Sequence, residues 1–65
     1  MKRMVILFSS KYKHAVCAYL SINRVQYSMF TDIYLGEVRV SLPYAKGVAL
    51  TVIMRRYSIS YEIGE

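Results

Sequence analysis

Side chains able to carry covalent or acid–base chemistry are scarce in this 65-residue chain, which has a single histidine, His14, and a single cysteine, Cys17. Three positions apart on a helix, the two share a face, and a thiol beside an imidazole is the arrangement of an activated nucleophile. The pair also offers two metal ligands. A structural zinc takes four, and the chain has no second Cys or His to supply the rest. The carboxylates are Asp32, Glu37, Glu62 and Glu65. Asp32 and Glu37 flank a bend, Glu62 falls on the polar side of the last strand and Glu65 sits at the chain end, a distribution that reads as solubilising charge. Gly-rich phosphate loops, nucleophile elbows and paired-histidine helix motifs are absent. The chemistry therefore predicts a protein with no enzymatic activity, catalytic residue, metal or cofactor.

The basic residues say more. Nine Lys and Arg against four Asp and Glu give a net charge of +5. Lys11 and Lys13 open a helix, Arg24 starts a strand, Arg39 lies mid-strand, and Arg55-Arg56 sit together near the last strand. Tyr27, Tyr57 and Tyr61 interleave with these charges along the predicted strands. A Tyr/Arg surface of this kind can stack single-stranded bases while its cations track the phosphates. It also suits a protein interface, where Tyr and Arg concentrate. Lys11, Lys13, Arg24, Tyr27, Arg39, Arg55, Arg56, Tyr57 and Tyr61 are the candidate binding residues.

The elements that must position them follow from hydrophobic period. Met4 to Phe8 is an unbroken apolar run that predicts a central strand covered on both faces. Ser9 or Ser10 can cap a helix. Tyr12, Ala15, Val16, Tyr19 and Leu20 have the spacing of one amphipathic helix from about Lys11 to Ile22, with Asn23 as its stop. Val25, Tyr27 and Met29, then Val38, Val40 and Leu42, alternate with polar residues as half-buried strands, with a bend near Leu35-Gly36 between them. Pro43 to Gly47 reads as a loop. Val48, Leu50, Val52 and Met54 keep even phase, whereas Tyr57, Ile59, Tyr61 and Ile63 keep odd phase, which predicts a β-bulge at Arg55-Arg56. The fold class expected is α+β, in the order β-α-β-β-β. One helix packs on a small, mostly antiparallel sheet of four to five strands, the last of them long and bulged or split.

Residues 1–65 form a single domain at this length. With 55% hydrophobic residues the chain is too apolar for disorder, and one cysteine cannot make an internal disulfide. A chain this short must bury almost all its apolar surface to be stable, which predicts self-association as a homodimer. The apolar run after Met1-Lys2-Arg3 is too short for a secretory core, and the run from Val48 to Met54 is too short to cross a bilayer. A cytoplasmic location without membrane contact is expected.

The segment Arg24-Val25-Gln26-Tyr27-Ser28-Met29-Phe30 resembles the second strand of the small ferredoxin-like CRISPR adaptation subunits. Those proteins also begin with an apolar strand and a basic helix, so the likeness spans residues 1–30. It implies a βαβ start, dimerisation and contact with nucleic acid. The family's acidic residue after the first strand is replaced here by Ser9-Ser10, so nuclease activity is not implied. The family's second helix has no counterpart among the elements predicted above. Together these features predict a small non-enzymatic binding protein, a virus or mobile-element type of inhibitor or regulator that docks on host nucleic-acid-handling machinery. The alternative is direct DNA or RNA binding through the basic Tyr/Arg surface.

Overall fold

The computed structural model describes residues 2–64. Seven elements follow in order: β1 (Arg3–Ser9), a 3-10 turn (Ser10–Tyr12), α1 (Lys13–Ile22), β2 (Ser28–Asp32), β3 (Glu37–Pro43), α2 (Tyr44–Arg56) and β4 (Tyr61–Gly64). The four strands form one antiparallel sheet in the order β2-β3-β1-β4. The fold is α+β, as the sequence predicts, and β1 is an inner strand between β3 and β4. Its βαββαβ order is that of the split-βαβ, ferredoxin-like arrangement.

One stretch departs from expectation. Pro43 to Gly47 is not a loop, and Val48 to Met54 is not a strand. Together with Arg55 and Arg56, residues 44–56 make α2, a second helix. The bulge expected at Arg55-Arg56 is the last turn of that helix, and the final strand is the four-residue β4. Gly47, Leu50, Thr51 and Met54 are its buried positions, spaced at the helical period. Val48 and Val52, which create the apparent alternation, are about two-fifths exposed on another flank. Gly47, which reads as a turn residue, lies where α2 meets β1, and a Cβ there would stand 2.7 Å from Met4 Sδ.

The first helix follows its pattern closely. Ser9 caps the 3-10 turn by accepting from the Lys11 amide at 3.3 Å. Asn23 ends α1, donating from Nδ2 to the Tyr19 carbonyl at 2.8 Å. Both helices then stop in the same way. The Val25 amide reaches back to Leu20 O and the Arg24 amide to Ser21 O, and in α2 Ile59 reaches Met54 O and Ser58 reaches Arg55 O. These are Schellman turns, and Arg24 (φ 53) and Ser58 (φ 58) hold the left-handed position where glycine is usual. The second strand is shorter than predicted, beginning at Ser28, although Val25, Tyr27 and Met29 still turn inward.

Both helices lie on one side of the sheet. The core between the layers consists of Ile6, Phe8, Val16, Leu20, Val38, Val40, Leu42, Leu50 and Met54. Among the described residues no helix lies on the other side of the sheet, so β1 is covered on one face and not on both: Ile6 and Phe8 are buried, whereas Val5 and Leu7 are half-buried. No helix of the described residues is long and apolar enough to cross a membrane.

Candidate binding surfaces

His14 and Cys17 do not form the site their spacing suggests. His14 is exposed, whereas Cys17 is half-buried against β2, its Sγ donating to Met29 Sδ at 3.5 Å. The thiol thus belongs to the packing between α1 and the sheet. Among the described residues no group of three or more His, Cys, Asp and Glu is placed to hold a metal ion. Glu65 lies outside the described residues.

The candidate binding residues do not gather on the sheet. Tyr27 and Tyr61 pack against the core on the helix side, with Tyr61 paired to Phe8. Tyr57 follows α2 and is exposed. Arg24 occupies the turn after α1, and only Arg39 lies on the open side of the sheet. The Tyr/Arg platform expected for base stacking is therefore not assembled. Alternation places Tyr27 and Tyr61 inward by the same parity as Met29 and Ile59, and that parity is readable once β4 is separated from α2.

The structure sorts charge between its two layers instead. The 3-10 turn, α1 and α2 carry Lys11, Lys13, Lys46, Arg55 and Arg56, and no carboxylate. Since α1 runs away from the end of β1 and α2 runs back, Lys11, Lys13, Arg55 and Arg56 share one end of the helix layer. Along α2, Tyr44, Val48 and Val52 form an exposed apolar ridge at i, i+4, i+8. It lies on the flank away from the residues Leu50, Ile53 and Met54, which line a groove of about 180 Å³ against α1.

Asp32, Glu37 and Glu62 all lie on the helix-free side of the sheet. Residues paired across antiparallel strands point the same way, so the register lays out this face row by row. One row crosses all four strands as Phe30, Arg39, Leu7 and Glu62. The next is Ser28, Ser41, Val5 and Gly64. Asp32 and Glu37 pair beside Ser9 at the end where the β2–β3 turn lies. Asp32 Oδ1 holds that turn, accepting from the Tyr34 and Leu35 amides at 3.0 and 3.1 Å. Leu35 overhangs the face and helps border two shallow clefts. One, of about 370 Å³, also touches Leu7, Tyr61 and Glu62. The other, of about 270 Å³, lies between Phe30, Asp32, Glu37 and Arg39.

Arg3 crosses this face to β3, its Nε donating to Ser41 Oγ at 3.1 Å and its Nη2 to Ser41 O at 2.9 Å. Phe30 is 65% exposed here and is not among the candidate residues. Its signal in the sequence is an aromatic on the polar parity of β2, beside Ser28 and Asp32. No family model matches the chain, and no curated protein or solved structure is detectably similar to it.

Proposed function

We propose that this chain is a small non-enzymatic binding protein that docks on nucleic-acid-handling machinery through its helix layer, in the manner of inhibitors and regulators carried by viruses and mobile elements. The observation that carries the reading is the absence of any carboxylate on helices that bear Lys11, Lys13, Lys46, Arg55 and Arg56. The apolar ridge of Tyr44, Val48 and Val52 lies on the same helix as three of those cations. An apolar strip rimmed by positive charge suits a partner surface that is acidic around an apolar centre. The small core favours a chain that works as a homodimer. A lone half-buried thiol fits a reducing, cytoplasmic setting. The likeness of Arg24 to Phe30 to the CRISPR adaptation subunits adds a second pointer to nucleic-acid-associated partners.

Direct DNA or RNA binding is the second reading. It is favoured by Lys11, Lys13, Arg55 and Arg56 converging on one end of the helix layer, with exposed Tyr57 next to Arg56. Affinity capture from host lysate, with and without nuclease, separates the two. Docking on a protein predicts a stoichiometric partner that survives nuclease. The Arg55→Ala/Arg56→Ala chain should keep its fold and retain that partner about tenfold less well. Direct binding predicts loss on nuclease treatment and a log–log salt slope of about −0.9 per phosphate contacted on duplex DNA. A chain that captures neither would overturn both readings.

A further inference from the structure

One row of the helix-free face, which also carries Arg3, Asp32 and Glu37, has opposite charges placed symmetrically about its centre. In the row Phe30, Arg39, Leu7 and Glu62, the cation on β3 and the anion on β4 lie one strand to either side of Leu7 on β1. At the usual strand spacing each is about 4.8 Å from the middle strand. Arg39 and Glu62 are exposed, Leu7 and Val5 are half-buried, and Phe30 is largely exposed. The neighbouring row, Ser28, Ser41, Val5 and Gly64, has small side chains of its own, with Arg3 lying on Ser41 and Leu7 leaning over Gly64.

We infer that a second copy of this chain covers this face, with the two-fold axis running along β1 through Leu7. Such an axis lays β3 of each copy over β4 of the other. Arg39 then meets Glu62 of the second copy, twice, while Leu7 meets Leu7 across the axis. The alternative axis in the same plane, across the strands, sets Arg39 on Arg39 and Glu62 on Glu62. Two like-charge contacts in a desolvated interface are strongly unfavourable, so the charges select one dimer. Arg3 does not obstruct it, because its guanidinium is folded over β3 onto Ser41. Ser41 shares its row with Gly64, so the Arg3 guanidinium comes opposite the apolar surface that Leu7 and Val5 make over Gly64 in the second copy. Sheets packed face to face also keep their strands within about 30° of each other, which leaves both charge pairs within reach of a long Arg side chain.

This inference rests on the self-association proposed above and names the surface that performs it. Sedimentation of the whole chain and of two charge reversals at exposed positions provides the test. The unaltered chain is expected to be dimeric at micromolar concentration. Arg39→Glu and Glu62→Arg should each weaken the dimer about tenfold or more, since each sets like charges together, with far-UV spectra unchanged. Mixed in equal amounts, the two variants should form a heterodimer as tight as the original. In that mixture the two substituted side chains face each other with opposite charge, and the native Glu62 of one variant faces the native Arg39 of the other. A dimer indifferent to both reversals, or a mixture that fails to associate, overturns this face and leaves self-association standing. An unaltered chain that stays monomeric overturns both.

Discussion

A side chain at position 47 has nowhere to go. A Cβ there would meet Met4 Sδ at 2.7 Å and Met4 Cβ at 2.9 Å, so the glycine sets how closely α2 approaches β1. Helix propensity alone favours Gly47→Ala by about 1 kcal/mol. The contact with Met4 Cβ cannot be relieved by rotating the methionine, and overpacking of this kind costs about 1–3 kcal/mol. Gly47→Ala is therefore expected to destabilise the fold on balance, as a lower midpoint in urea unfolding. A higher midpoint would show that the helix can lift without loss. This residue also limits what the sequence reveals. Beside Pro43, a glycine signals a loop, and nothing local distinguishes a glycine needed for a turn from one needed for a close approach. Ser9 and Asn23 are legible because a cap acts through its own side chain on its own neighbours.

Helices usually carry acids in the first turn, where the backbone dipole is positive, and bases in the last. The first turn of α1 contains Lys13 and that of α2 contains Lys46, with no acid in either. Neither helix has a side-chain cap at its start. Each misplaced cation gives up roughly 0.3–1 kcal/mol, whereas Arg55 and Arg56 at the far end of α2 are favourably placed. Lys13→Glu should accordingly raise stability by about 0.5 kcal/mol while lowering retention of the captured partner. If stability falls instead, the cation at that helix end is structural rather than reserved for binding. At this scale α1 was legible and α2 was not. In α1, Val16 and Leu20 are buried and the exposed positions are small or polar, apart from Ile22 at its end. In α2, Val48 and Val52 face outward, and those two valines turn a helical period into an apparent alternation.

Across the whole molecule, the helices and strands share one core. Val16 on α1 and Leu50 on α2 belong to the same cluster as Ile6 on β1 and Val40 on β3. Val16 is 3% exposed, and Val16→Asp buries a charge with no partner. It is expected to cost more than about 3 kcal/mol and to melt β4 together with α1. Retention of half the amide protection would show instead that the two βαβ halves fold separately. The α+β class, the antiparallel sheet and the inner position of β1 were all legible, because an unbroken apolar run has few places to go. The charge sorting was not, because Arg39 and Glu62 become neighbours of Leu7 only through pairing between strands distant in sequence. That pairing has a consequence in time. Arg3–Ser9 comes first along the chain, yet its two flanks are closed by residues 37–43 and 61–64. One edge can close once residues 37–43 are made, but the other stays open until residues 61–64 follow, so a neighbouring chain can compete with β4 for that edge of the most apolar strand.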